Sequence, residues 1–256
     1  MPRKSSTKPQ RKNKKAVSFE KRVMAVVHKK AETKQKVVAL LSNTNLSGVG
    51  LAPGSGTGPT ITGLQIVNLG TSLSIAQGAQ QEQRQGNVIN NCKLRCRGLI
   101  ETLPYDATSN PSTYGYEVHM LVFKKRDDNQ NSVAFLKSQP NNIVGSVDGT
   151  LINTMYPYNK EAYIIKKVKV FRMQPQLPGS AAGTSALAQP NTYLFKRFYV
   201  DIPVSKTWKY QDNLLTPNNE WTSIAFYVVN SDGSIYTGTQ SRCQITMDAT
   251  LTYDDF

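Results

Sequence analysis

From Cys243 to Phe256 the chain reads CQITMDATLTYDDF, with Ile245, Met247, Ala249, Leu251 and Tyr253 on one parity and Thr246, Asp248, Thr250 and Thr252 on the other. Side chains of an extended backbone alternate between two faces, so this apolar row is buried as a unit only in a strand with one face on a core. A second stretch, VINNCKLRCRG, places Val88, Asn90, Cys92, Leu94 and Cys96 on a mostly apolar parity and Lys93, Arg95 and Arg97 on a triply cationic one. In YGYEVHMLVFKK, Tyr116, Val118, Met120 and Val122 alternate with Glu117, His119, Leu121 and Phe123. Both parities there are at least half apolar, which predicts a central strand.

The same reading places strands at about 62–76, 87–103, 114–124, 161–173, 193–203, 221–229 and 242–252, with a short one near 150–156. Between them, QPQLPGSAAGTSALAQPNT (Gln174 to Thr192) is low in charge and rich in Gly, Ala, Ser and Pro, as a surface excursion would be. Seven or eight strands with long loops and no strong helix between them predict an all-β fold, a single jelly-roll antiparallel sandwich rather than an up-and-down barrel. The chain of 256 residues is long enough to bury a full core in one domain.

Charge is distributed unevenly. Residues 1–36 hold 13 Lys and Arg against Glu20 and Glu32, or +11 of a formal +14, leaving +3 for the other 220 residues. A concentrated cationic leader on a near-neutral body is the pattern of a polyanion-binding extension. Its first part carries Arg3, Lys4, Lys8, Arg11, Lys12, Lys14 and Lys15 and no large apolar residue beyond Met1, so residues 1–17 are expected to be disordered. Ser18 then reads as a helix N-cap, with Phe19, Val23, Val26 and Val27 on one stripe and Lys21, Arg22, Lys29 and Lys30 around it. This predicts a basic amphipathic helix over 18–41 that also takes in Lys34 and Lys36. Such a helix suits a membrane surface or a calmodulin-type partner as well as nucleic acid. Attachment to a cationic leader favours nucleic acid, bound through phosphates by counterion release. Lys8, Arg11, Lys12, Lys14 and Lys15 also form a short nuclear-import patch. The expected organisation is an arm at 1–41, a Gly-rich linker at 42–60 and a β domain at 61–256, and deleting residues 1–36 should leave that domain folded.

Chemistry is sparse. Neither a nucleophile elbow, a phosphate-binding glycine loop, a zinc-protease helix nor a dinucleotide fingerprint occurs, and of the two histidines His28 lies in the leader and His119 in a strand. No enzyme activity, cofactor or metal is expected. Cys92 and Cys96 would stand about 13 Å apart on one strand face, beyond disulfide reach, and with Cys243 they read as small buried apolar residues. Their spacing does not fit zinc. The pairs Asp127/Asp128 and Asp254/Asp255 could hold a divalent cation between subunits, although a solvated turn is the simpler reading of the first. Neither a secretory h-region nor a membrane-length apolar run is visible, so no membrane insertion is expected. In YIIKKVKVFRM, Lys167 and Lys169 share a parity with Tyr163 and Phe171, a mixture suited to bases and phosphates or to a wet sheet face. Trp208 and Tyr210 read as interface anchors or as core.

The basic arm, the AETK segment at Ala31 to Lys34, the Gly-rich linker, RQGNVI (Arg84 to Ile89) opening a strand that ends LRCRGLIE, and KRFYVDIPVSKTWKY together resemble capsid proteins of small circular single-stranded DNA viruses. These form the circovirus-like group encoding a rolling-circle replication protein, and RQGNVI is similar to the R-x-G-N-x-I signature of its capsids and of satellite necrosis virus coats. The resemblance implies a single jelly roll whose copies, about 60, close into a small icosahedral shell, with N-terminal arms on a single-stranded genome, DNA in preference to RNA. It further implies that the cations from Arg3 to Lys36 serve packaging and nuclear import through a host import receptor, that Arg84, Gly86 and Asn87 form a structural turn, and that the protein resides in the virion and, during assembly, in the host nucleus. Sixty arms would bring roughly 660 positive charges to phosphate. The Lys93, Arg95 and Arg97 face then either lines the shell interior or bridges subunits. The alternative is a non-viral single-stranded nucleic-acid-binding β domain with a cationic tail.

Overall fold

The computed structural model describes residues 32–47, 65–103, 114–126, 136–139, 142–144, 155–174, 194–212, 214–231 and 241–255. Within them run strands β1 (Glu32–Ser47), β2 (Gln65–Asn68), β3 (Val88–Thr102), β4 (Tyr116–Lys125), β5 (Leu136–Gln139), β6 (Asn142–Val144), β7 (Tyr163–Met173), β8 (Phe195–Ile202), β9 (Trp208–Lys209), β10 (Thr222–Asn230) and β11 (Ser241–Asp255), with one helical turn, α1 (Leu69–Ser72), after β2. The first sheet has the order β1-β11-β3-β8, with β9 on the start of β3, and the second the order β2-β10-β4-β7. Every pairing within these sheets is antiparallel. The chain passes from one sheet to the other between β1 and β2, β2 and β3, and β3 and β4, so each strand's neighbours come from distant sequence. That is the connectivity of a jelly roll. β5 and β6 form a separate hairpin.

Alternation dictates the core. Ile245, Met247, Ala249, Leu251 and Tyr253 of β11 are fully buried, flanked by Leu94, Cys96 and Ile100 of β3, and Phe198, Val200 and Ile202 of β8 extend the same layer. Opposite lie Val118, Met120 and Val122 of β4 and Ile224, Phe226 and Val228 of β10. Each Val, Leu, Ile, Met or Phe among them contributes about 1.5–3 kcal/mol by leaving water. The Phe198 ring sits 5.3 Å from Phe171 and 6.4 Å from Phe226, centroid to centroid. It lies directly over Gly98, its cross-strand partner, where a Cβ would come 2.4 Å from Phe198 Cζ and 2.9 Å from the Thr246 carbonyl oxygen. Glycine here makes space for an aromatic ring.

β4 lies between β10 and β7, the central position its two apolar parities predict. The second parity, Leu121 and Phe123, joins Ala225, Tyr227 and Val229 of β10 in a second cluster on the outer face of that sheet, covered by Ala162 and Tyr163 with Tyr156 and Tyr158. All nine residues of β10 are buried as a result.

Several expectations are corrected. The helix over 18–41 is replaced by β1 from Glu32 onward; residues 18–31 lie outside the described residues. β1 pairs with β11 from Glu32↔Asp255 to Ser47↔Ser241, with irregularities after Ala39, Leu41 and Leu46. At the second of these Asn43 adopts φ 44°, and Thr246 Oγ1 accepts from its backbone N–H at 3.1 Å. The partner strand is some two hundred residues away, so a local window favours a helix where tertiary pairing imposes a strand. The linker expected at 42–60 accordingly loses residues 42–47 to β1, and its remainder lies outside the described residues. Of the strand expected at 62–76, residues 62–64 lie outside the described residues, and among the rest only β2 is strand, because Asn68 Oδ1 accepts from Thr71 N–H at 3.4 Å and caps α1. β9 and the β5–β6 hairpin were unforeseen. Most of the expected strand at 150–156 and of the excursion at 174–192 also lies outside the described residues.

Because Ala at position 98 must displace a packed ring or a strand carbonyl, Gly98→Ala should cost about 1–3 kcal/mol. Chemical denaturation would read this, and Phe198→Leu in the same chain should recover part of the loss.

Candidate nucleic-acid interface

The outer face of the first sheet is set by the parity left over from the core. Lys93, Arg95 and Arg97 are all exposed there, as their alternation predicts. The alternation begins only at Cys92. Asn91 adopts φ 51° and shifts the phase, so Ile89 is buried and Val88 exposed, the reverse of the expected parity. Asn91 is stabilised by its side chain, whose Nδ2 donates to Asp254 Oδ2 at 2.6 Å, while Thr33 Oγ1 donates to the other oxygen of Asp254 at 3.0 Å.

Register arranges the face in rows. Val37, Thr250, Arg95 and Asp201 lie across one, and Ala39, Asp248, Arg97 and Tyr199 across the next. Arg95 Nε donates to Asp201 Oδ1 at 2.8 Å, and Arg97 Nε lies 3.5 Å from Asp248 Oδ2. The hydrogen bond and charge of Arg95 hold the Asp201 carboxyl below its ordinary range. Among the described residues Lys93 and Lys206 have no acidic partner. Lys93, Arg95, Arg97, Lys206, Tyr199 and Asp201 line one cleft of about 750 Å³, with Thr250 and Thr252 beside Arg95 and Lys93 on β11. The sequence reading singled out the first three but missed Lys206 and Tyr199. The spacing of Tyr199 from Phe195 and Arg197 in FKRFYVD marks all three as an exposed parity, a signal available once the strand is phased.

Other anticipated residues fall elsewhere. Arg3, Lys4, Lys8, Arg11, Lys12, Lys14, Lys15, Lys21, Arg22, Lys29 and Lys30 lie outside the described residues. Lys34 is withdrawn from any phosphate. Its side chain is 1% exposed, with Nζ 3.0 Å from Asp255 Oδ2 and donating to the Gln83 carbonyl at 2.9 Å. It was assigned to a solvated helix, but the β1 register turns it inward. Lys36 stands 3.6 Å from Glu82 and is only partly exposed. Asp255 also accepts from Gln85 N–H at 2.6 Å, so the Asp254/Asp255 pair is committed within the chain rather than to a divalent cation. Asp127 and Asp128 lie outside the described residues.

Next to this pair, Arg84 is fully buried. Its Nη1 donates to the Gly86 carbonyl at 2.5 Å and to Asn87 Oδ1 at 3.0 Å, its Nη2 donates to the Leu214 carbonyl at 2.9 Å, and its guanidinium lies 4.3 Å from the Tyr210 ring centroid. Asn87 Nδ2 in turn donates to Asp212. The R-x-G-N segment is therefore a structural turn that a buried guanidinium fastens to the 210–214 segment.

On β7 an irregularity opposite Val122 and Phe123 breaks the expected parity. Tyr163 is buried edge-on against Phe123 in the outer cluster, away from Lys167 and Lys169. Lys167 Nζ donates to the Asp201 carbonyl at 3.2 Å and Lys169 Nζ rests 5.2 Å from the Phe171 ring, so neither lysine forms the stacking platform with Tyr163 that the sequence implied. Trp208 and Tyr210 are core. Cys92, Cys96 and Cys243 are free and buried, and burial pushes each thiol up to about 12, leaving it inert at neutral pH. No cluster of metal-ligating side chains occurs among the described residues, and no helix among them is long and apolar enough to cross a membrane.

No family model matches the chain, and no curated protein matches it. Among solved structures it is similar to the empty head of turnip yellow mosaic virus (TM-score 0.33, 11% identity, 99% of this chain and 90% of that chain covered). It is also similar to Merkel cell polyomavirus VP1 in complex with GD1a oligosaccharide (0.29, 8%, 87% and 94%) and to the Merkel cell polyomavirus virus-like particle (0.30, 8%, 99% and 82%). These chains are distant, and the jelly-roll assignment stands on strand order and register alone.

Two outcomes follow from this geometry. Lys34→Met leaves Asp255 buried without its counter-charge and should lower unfolding stability by about 3–5 kcal/mol, whereas Lys36→Met, whose partner Glu82 is exposed, should change it by less than about 1 kcal/mol. His119 is buried, stacks on Tyr227 at 4.7 Å and meets Glu117 Oε2 at 3.1 Å; burial lowers its pKa from 6.5, with the Glu117 hydrogen bond opposing. The unfolded chain then binds the proton more readily, so stability is lost as pH falls from 6.5 through the folded value. Melting curves across that window should show this slope in the native chain and a shallower one in His119→Phe.

Proposed function

We propose that this chain is a viral capsid protein that self-assembles into a small icosahedral shell of about 60 copies and packages a single-stranded genome, DNA in preference to RNA, through its basic leader. The observation that carries this reading is a charge placement. Residues 1–31 hold eleven Lys and Arg against one acid, Glu20, and they join the sandwich at Glu32, on an edge strand of the very sheet whose outer face presents Lys93, Arg95 and Arg97. That edge lies two strand spacings, about 10 Å, from β3, so one polyanion can meet both. Shell closure would supply about 600 leader charges for phosphate neutralisation, a sequence-independent attraction suited to packaging. Jelly-roll connectivity supports the structural half of the proposal, since it yields a rigid block with two flat faces and strand edges for lateral contact. In this role the protein is not an enzyme, and Lys8, Arg11, Lys12, Lys14 and Lys15 serve as the import patch read by a host receptor on the way to nuclear assembly.

Purified full-length protein should sediment as a uniform particle that shields copurifying nucleic acid from nuclease, and typing that nucleic acid separates DNA from RNA. A monodisperse monomer or dimer forming a saturable complex of low stoichiometry would overturn the shell and favour a non-viral binding module. Deleting residues 1–31 should leave the sandwich folded and remove most bound nucleic acid. Deletion through residue 36 removes Lys34 as well, and should also lower the melting temperature.

A further inference from the structure

The cleft on the outer face of the first sheet has a more specific chemistry than a cationic wall. Its lining carries Lys93, Arg95, Arg97 and Lys206 against a single carboxylate, Asp201. These charges are not equivalent: Arg95 is held by Asp201 and Arg97 lies near Asp248, whereas Lys93 and Lys206 have no acidic partner among the described residues. Tyr199, 70% exposed, lines the same cleft opposite Arg97, two rows from Lys93, whereas the Lys206 carbonyl accepts from the Cys92 amide at the Lys93 end. A large aromatic ring left in water at one end of a cleft, with ammonium groups lacking acidic partners among the described residues at the other, matches a ligand that is flat and apolar at one end and anionic at the other. At about 750 Å³ the cavity falls in the range of small-molecule sites. It admits a single nucleotide unit but not a duplex, whose bases are turned inward and stacked.

We propose that this cleft seats one nucleotide unit of a single strand, its base stacked on Tyr199 and its phosphates held by Lys93 and Lys206, with Asp201 restraining occupancy by keeping Arg95 paired. The identity of the polymer rests on the packaging reading above; the site itself rests on the cleft. Thr250 and Thr252, the β11 partners of Arg95 and Lys93, offer hydroxyl groups to sugar or phosphate oxygens. Stacking on an aromatic ring accepts every base, so the site is sequence-tolerant and fixes the path of the strand.

Because the leader dominates bulk affinity, the test must be positional. A short oligothymidylate carrying 5-iododeoxyuridine is crosslinked to the full-length protein, and the adducts are mapped by mass spectrometry. The expected adduct is on the peptide containing Tyr199. Tyr199→Leu and Lys93→Gln/Lys206→Gln should each cut its yield about tenfold or more, with the yield on peptides from residues 1–31 unchanged. Asp201→Asn, at a side chain 76% exposed and outside the core, frees Arg95. It should raise the Tyr199 adduct several-fold and steepen the salt dependence of its yield by about one phosphate contact. Adducts confined to residues 1–31, or a Tyr199 adduct indifferent to all these changes, would overturn the cleft while leaving packaging intact. Equal displacement by polyglutamate of matched charge would overturn it in favour of an acidic peptide. Absence of any adduct, together with particles free of nucleic acid, would remove the packaging reading as well.

Discussion

β11 is the strand on which the rest of the molecule is hung. It lies inside the first sheet between β1 and β3, and its alternation commits Ile245, Met247, Ala249, Leu251 and Tyr253 to the core. Because the side-chain period is two, that commitment fixes the phase of β3 and, through β3, of β8. Lys93, Arg95, Arg97 and Tyr199 are therefore exposed as a consequence of what their neighbours bury. A one-residue slip of β11 would turn Asp248 and three threonines inward and carry the cations of β3 out of register with Asp248 and Asp201.

Phasing is protected where the sheet departs from ideal pairing. Asn43 and Asn91 take positive φ, which asparagine tolerates better than most residues, and each is tied to β11, the first through Thr246 and the second through Asp254. At the end where β1 begins, Lys34, Asp255 and the Gln85 amide form a buried charged group alongside the Arg84 turn. Such a pair adds little net stability over an apolar substitute, but breaking it leaves a stranded charge. It therefore specifies the register of β1 more than it strengthens the fold.

Six of the seven main predicted strands, the one-sided burial of β11 and the central place of β4 were legible because they follow from local periodicity. What escaped was non-local. β1 has a period of two only against β11, and in isolation its run of Lys, Val, Ala and Leu satisfies a helix equally well. The inward turn of Lys34 could not be read without that pairing, since a lysine next to a cationic leader resembles every other lysine there. Phase shifts at Asn91 and within β7 defeated simple alternation for Val88, Ile89, Tyr163, Lys167 and Lys169. The cationic row of β3 was legible, but the cleft was not. Tyr199 and Lys206 come from a strand and a loop more than a hundred residues downstream; the β3–β8 register sets Tyr199 opposite Arg97, and the Cys92 amide, donating to the Lys206 carbonyl, brings Lys206 next to Lys93.

Pairing of acids and bases on the exposed face decides how a polyanion would use it. Asp201 and Asp248 oppose Arg95 and Arg97, so the face of the sandwich is less cationic than its basic residues imply, and the leader holds most of the chain's excess positive charge. In the proposed packaging role this separates two tasks. The leader supplies attraction that any phosphate chain satisfies and that salt weakens steeply. The cleft, with one ring and two ammonium groups that lack an acidic partner among the described residues, is too small to contribute much affinity, but it sits on a sheet whose edge strand is pinned by Lys34 and Asp255 at the residues where the leader joins. A strand captured by the leader is thereby delivered within about two strand spacings of the cleft, where stacking can fix its position without reading its sequence.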